Sequence, residues 1–181
     1  MSKIILDLCG GTGAWSKPYL DAHYYIISVD IVNERNHDVR LYQKPEGIIH
    51  GILAAPPCTV FASSGARWPR TNEQMIEGLS VVDACLRLII VCQPKWWCLE
   101  NPIGKLSRFL GKPRMYFQPW EYGDPYTKRT ALWGDFNEPK KNPVEPTEGG
   151  RIHRMAPSPD RTKLRSITPP GFAKAFFEAN R

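Results

Sequence analysis

Apolar residues fall in short unbroken runs, each closed by glycine, proline or an acid. Residues 2–9 (SKIILDLC) run into Gly10-Gly11-Thr12-Gly13, and residues 24–29 (YYIISV) stop at Asp30. Residues 47–54 (GIIHGILA) lead to Pro56-Pro57-Cys58, and residues 96–99 (WWCL) to Glu100-Asn101-Pro102. Runs of this length without in–out alternation predict strands buried on both faces. Residues 14–22 can form a helix. A longer helix starts at Thr71, where Gln74 three positions on completes a capping box, and its apolar spacing persists to about Cys92. The order strand, helix, strand, strand, helix, strand predicts an α/β fold, a mostly parallel sheet with helices on both faces.

After Gly111 the pattern weakens. Residues 114–118 and 131–133 read as short strands, 137–150 as a surface loop rich in proline, lysine and glutamate, and 151–168 as a basic stretch of poor periodicity. Thr168-Pro169-Pro170-Gly171 then opens a last helix with Phe172, Ala175, Phe176 and Ala179 on one face.

Composition narrows the class. The 181 residues are 42% hydrophobic and 23% charged, which suits one globular domain over 1–181. No apolar run reaches the length of a membrane span, and the first residues enter a strand without a signal-peptide pattern, so a cytoplasmic location is expected. The five cysteines include no C-x-x-C pair, which argues against a disulfide framework or a metal site. Cys9, Cys85, Cys92 and Cys98 stand in apolar patterns and read as small buried hydrophobes; Cys58 follows two prolines in a loop. The net charge of +6 fits a polyanionic partner or a solvated basic tail.

In open parallel sheets ligands sit beyond the carboxyl ends of the strands. Gly10 to Gly13, Asp30, Cys58 and Glu100 all fall at such ends. The glycine loop lets backbone approach a ligand, or makes a tight turn. It lacks the third glycine of a dinucleotide fingerprint, having Ser16 there, and no G-K-[ST] follows it. Asp30 can accept ribose hydroxyls, or cap a helix. A thiol held behind two prolines can be a nucleophile if its surroundings favour the thiolate, or an ordinary loop cysteine. Glu100 can hold a proton beside an apolar wall, or sit at the surface before a helix.

Together these segments resemble the cytosine-C5 DNA methyltransferase family, in particular its small phage-type members, over nearly the whole chain and in the same order. Asp7-Leu8-Cys9-Gly10-Gly11-Thr12-Gly13 resembles the cofactor loop, with Cys9 where the family usually has phenylalanine. Asp30 resembles the ribose-binding acid and Asp38, in His37-Asp38-Val39-Arg40, the acid near the adenine amino group. Pro57-Cys58 falls on the catalytic pair and Glu100-Asn101 on the E-N pair. Residues 126–133 (YTKRTALW) resemble the segment with a basic residue beside the target base, and 165–173 (RSITPPGFA) the final motif, which folds back beside the first strand.

The resemblance implies a Rossmann-like domain that transfers a methyl group from S-adenosylmethionine, leaving S-adenosylhomocysteine. It implies catalysis by Cys58, Glu100 and Arg129. Cofactor contacts are expected from Asp7, Leu8, Cys9, Gly10, Gly11, Gly13, Asp30, Ile31, Asp38, Val39 and Pro56, with Trp15 standing in for the missing aromatic. Substrate contacts are expected from Pro57, Ser63, Arg67, Asn101 and Lys128. No metal is expected. The partner would be DNA, single-stranded or with its base flipped out of a duplex, in a bacterial or phage-infected cytoplasm, with no membrane association.

Amino-methyltransferases place an aromatic where this chain has Cys58, in Ala55-Pro56-Pro57-Cys58, so carbon chemistry is favoured. Residues 134–164 are too short for the target-recognition domain of larger members. Specificity is then slight, or comes from loops such as 59–70 (TVFASSGARWPR), or from a partner protein. The short insert leaves RNA or a free cytosine nucleotide as alternative substrates, and a non-catalytic nucleic-acid-binding role as a third reading.

Overall fold

The computed structural model describes residues 3–32, 37–65 and 67–181. Ser2, in the first predicted strand, and Ala66, in the loop after Cys58, lie outside the described residues. Strands β1 (Ile4–Leu8), β2 (Tyr25–Val29), β3 (Ile49–Ala54) and β4 (Trp96–Pro102) are parallel. With β5 (Met115–Phe117) and β6 (Thr130–Asp135) they form one sheet in the order β2-β1-β3-β4-β6-β5. Strand β6 is antiparallel to both β4 and β5. The expected α/β class and mostly parallel sheet are present.

The unbroken apolar runs have a simple cause. Ile5, Leu53 and Cys98 face one cluster of buried residues, while their neighbours Leu6, Ile52 and Leu99 face the other. Consecutive side chains of a strand point to opposite faces, so a strand covered on both sides needs no polar positions. One face is covered by α2 (Asn72–Cys92), which buries Val82, Cys85, Leu88, Ile89 and Cys92 at helical spacing. Its first turn has the expected capping box: Gln74 N donates to Thr71 Oγ1 at 3.3 Å, and Thr71 N donates to Gln74 Oε1 at 3.2 Å. The other face is covered by α1 (Lys17–Asp21) and α6 (Pro170–Ala179). Phe172 stacks on Phe117 at 3.7 Å, and Phe176 meets Trp15 edge-on at 5.4 Å. The last helix thus returns beside the first strand.

Three short helices complete the chain: α3 (Ser107–Leu110), α4 (Arg151–Arg154) and α5 (Arg161–Ser166). The last two occupy the basic stretch of poor periodicity. Because β6 runs backwards, the chain leaves it at the foot of the sheet, away from the carboxyl ends of the parallel strands. Residues 136–150 carry it back up as a strap. Asn142 N donates to Glu121 O and Val144 N to Trp120 O, both at 2.9 Å, and Thr127 N donates to Gly149 O at 2.8 Å. No helix among the described residues is long and apolar enough to cross a membrane.

Candidate active site

Sheet register brings the site together. Leu8 pairs with Val29 and Ala54, and Ala54 with Leu99. The residues one or two steps beyond this row are Cys9 and Gly10, Asp30, Pro56, and Glu100. Four segments far apart in sequence therefore end on one edge.

The loop after β1 turns sharply: Cys9, Gly11 and Gly13 all have positive φ, at 57°, 54° and 68°. A side chain on Gly10 would collide with the Asp7 carboxylate, so this position accepts only glycine. Asp7 is buried, accepts the Ser16 hydroxyl at 2.5 Å through Oδ2, and leaves Oδ1 without a partner. Burial raises its pKa to about 6 from 3.8, against the Ser16 bond and with help from the Asp30 charge. Asp30, also buried, accepts Gly11 N through Oδ2 and Val32 N through Oδ1, each at 2.8 Å. One carboxylate thus fixes the glycine loop against the end of β2. A backbone open above Gly11, where an added Cβ meets nothing within 4 Å, and an unpartnered buried oxygen on Asp7 fit a ligand carrying hydrogen-bond donors or positive charge.

Asp7 yields a stability prediction. A carboxyl whose folded pKa is raised stabilises the fold below its unfolded pKa and loses that contribution as pH rises through the folded value. The ligand-free protein is expected to lose about 3 kcal/mol between pH 4 and 6 from this group. In Asp7→Asn that pH dependence should flatten in urea melts. An unchanged slope would remove Asp7 as its source.

Other expected cofactor contacts are placed unevenly. Leu8 is buried in the core, and Cys9 is partly buried. Ile31 is 60% exposed beside Asp30, and Val39 is buried under α2. Both Asp38 oxygens are taken by Arg40, which reaches on to Glu77 of α2 at 2.5 Å. Arg40 also lowers the Asp38 pKa. Trp15 is only 2% exposed and packs against Phe172 and Phe176. This corrects the expectation of an adenine contact: α6 turns the ring into the aromatic core.

The Pro56-Pro57-Cys58 segment continues β3. Ala55 N donates to Leu8 O at 2.9 Å, after which the chain turns, with Cys58 O accepting Phe61 N and Ala62 N at 3.0 and 2.9 Å. Asn101, fully buried on β4, holds the segment from the side: its Nδ2 donates to Pro56 O at 2.9 Å. Asn101→Ala is expected to cost about 1–3 kcal/mol of stability, because it leaves a buried carbonyl unpaired. It should also reduce turnover by loosening Cys58. Full activity with a lowered melting temperature would show that the tether serves folding alone.

Cys58 is partly buried and free. Burial pushes its thiol above the ordinary value, the Glu100 carboxylate pushes it further, and the charges of Lys128 and Arg165 pull it down. Glu100 is also raised, by burial, with Lys128 opposing. Burial thus shifts both groups toward their neutral forms, and the Lys128 charge opposes that shift at each.

The structure places the two basic residues of this segment differently. Lys128 is buried, lies beside Glu100 and Cys58, and donates from Nζ to Ile167 O at 3.4 Å. Arg129, the next residue, is exposed and lies 4.8 Å over the Tyr116 ring. Of the two, only Lys128 is buried and bears on the Cys58 thiol. The charge of Arg165, which also acts on Cys58, was not expected there: it ends a stretch without periodicity, and only its place before Ser166-Ile167-Thr168-Pro169 hinted at it. In the loop after Cys58, Ser63 and Arg67 are exposed, with Arg67 5.3 Å over the exposed Trp68 ring. Pro57 is exposed beside Cys58, and Pro56 is buried.

Among the described residues no histidine, cysteine and acid cluster could hold a metal. No family model matches the chain. A probable DNA (cytosine-5)-methyltransferase of Frog virus 3 (isolate Goorha) is 28% identical over 149 residues, covering 72% of this chain and 70% of that protein. The chain is thus similar to a cytosine-C5 methyltransferase over most of its length. A likeness in fold extends to a solved structure. A candidate DNA modification methyltransferase encoded within an E. coli prophage matches with TM-score 0.51 over 74% of this chain at 17% identity. The chain spans less than half (46%) of that structure, and the likeness concerns the fold alone.

Proposed function

We propose that this protein methylates carbon 5 of cytosine in DNA through a transient bond from Cys58 to carbon 6. The observation that supports this most is that Cys58, just after β3, Glu100 on β4 and the buried Lys128, just before β6, lie close enough for their charges to shift one another. S-adenosylmethionine, bound against the glycine loop, supplies an electrophilic methyl group. Asp7, Gly10, Gly11 and Asp30 would hold it, with Asp30 toward the ribose.

Carbon 5 of cytosine is a weak nucleophile. The Cys58 thiolate adds to carbon 6 while Glu100 gives its proton to ring nitrogen 3, so the electron pair of the 5,6 double bond becomes available at carbon 5. Carbon 5 could then take the electrophilic methyl group that a sulfonium held by Asp7, Gly10, Gly11 and Asp30 would supply, with a neutral thioether as the leaving group. A base removes the carbon-5 proton, and its bonding pair re-forms the double bond and expels Cys58 as thiolate; nitrogen 3 returns its proton to Glu100. Lys128 stabilises the thiolate before addition and the electron-rich ring after it. A base in a duplex must leave the stack to reach this edge.

Tritiated methyl transfer to duplex DNA, single-stranded DNA, RNA and dCTP tests the reading. Label is expected in DNA as 5-methylcytosine. Label confined to dCTP or RNA would keep the chemistry and discard the substrate; no label anywhere, with normal cofactor binding, would leave a non-catalytic binding protein.

A further inference from the structure

Arg129 lines a pocket of its own. Arg129, Tyr116, Ser107 and Trp133 border a cavity of about 210 Å³ on the face of β5 and β6 turned toward α3. Trp133 is fixed there by donation from Nε1 to Gly111 O at 3.0 Å. Tyr116 is 40% exposed under the Arg129 guanidinium, and Phe109 is 50% exposed nearby on α3. Among the described residues Arg129 makes no ion pair.

Backbone hydrogen bonds tie the pocket to the reactive loop. Ser63 N donates to Ile103 O at 2.9 Å, Lys105 N to Phe61 O at 2.7 Å, and Ile103 N to Arg129 O at 3.4 Å. The loop after Cys58, residues 103–105, and Arg129 are therefore three adjacent strips. At the usual strip spacing, Arg129 lies about 10 Å from the loop.

We propose that this pocket is a second nucleotide subsite, in which a base flanking the target cytosine stacks on the Tyr116–Arg129 pair and its phosphate pairs with the Arg129 guanidinium. The proposal rests on the nucleic-acid reading above. An open aromatic ring and an arginine plane both stack bases regardless of sequence, and a guanidinium without a carboxylate partner is ready for a phosphate. This would give a chain without a separate recognition domain a grip on nucleotides beside its target.

The test is fluorescence anisotropy with single-stranded and duplex cytosine-containing oligonucleotides from 50 to 200 mM salt. Tyr116→Ala should weaken binding about 5- to 100-fold, and Tyr116→Phe less than about twofold. Arg129→Ala should weaken binding and lower the slope of log Kd against log salt by about 1. Wild-type affinity in both alanine variants would overturn the subsite, and an unchanged slope in Arg129→Ala would overturn the phosphate contact. Methyl transfer by the wild-type protein, measured alongside, separates the two claims. Normal transfer to DNA with unaltered binding in the variants sinks the subsite alone; no transfer with weakened binding sinks the methyltransferase reading and retains the subsite.

Discussion

Cys58→Ala is expected to reduce methyl transfer to DNA by about four orders of magnitude or more, because the covalent route is lost with the thiol. The fold should survive, since Cys58 lies in a loop, makes no disulfide and is only partly buried. Thermal melts of the variant and the parent should agree within a few degrees. Cys58→Ser should fare little better, as a hydroxyl is a far weaker nucleophile at neutral pH. A second readout isolates the covalent step. DNA containing 5-fluorocytosine has no carbon-5 proton to lose, so the adduct cannot collapse. The wild-type protein should then migrate with the DNA under denaturing conditions, and Cys58→Ala should not. A Cys58→Ala protein that still transferred methyl groups would remove this residue as nucleophile.

Lys128→Met is expected to cost about 10²- to 10³-fold in kcat/KM, the usual loss when one preorganised charge beside a developing anion is removed. It should also leave a signature in the pH profile. The competent state holds Cys58 as thiolate and Glu100 as acid, although both groups are shifted upward. The population of that state is level between the two pKa values. It falls on the acid side as the thiolate is lost, and on the alkaline side as Glu100 gives up its proton. Lys128 lowers both groups, so removing it should move both limbs to higher pH. On the acid limb the rate then drops about tenfold for each unit of displacement. Lys128→Arg should restore the limbs. A lowered rate with limbs unmoved would assign Lys128 to substrate contact without control of Cys58.

Most of the sheet was legible because burial on both faces leaves a strong mark. The runs ending at Asp30 and Pro56 became β2 and β3 to within two residues, the run at 96–99 became β4 but continued through Glu100 and Asn101 to Pro102, and Thr71 with Gln74 marked the start of α2. The direction of β6 was not legible, since a run such as Ala131 to Trp133 packs equally well either way up. Nor was it legible that Lys128 is buried and Arg129 exposed, which depends on how the chain enters β6. Trp15 misled for a related reason: an aromatic beside a glycine loop can serve a ligand or a core, and α6, more than 150 residues later, settles it. Arg165 escaped notice because α5 is too short for its apolar spacing to register.

The strap over residues 136–150 has a consequence for how such a protein can grow. A chain that leaves β6 at the foot of the sheet must climb its full height to deliver α4 and α5, and it does so outside the hydrogen-bonded strands. Residues added within the climb would break no strand pairing and disturb neither covered face of the sheet. They would emerge next to α4. The reversal of one strand thus provides a place where a reader of longer sequences could be grafted onto an unaltered chemical centre.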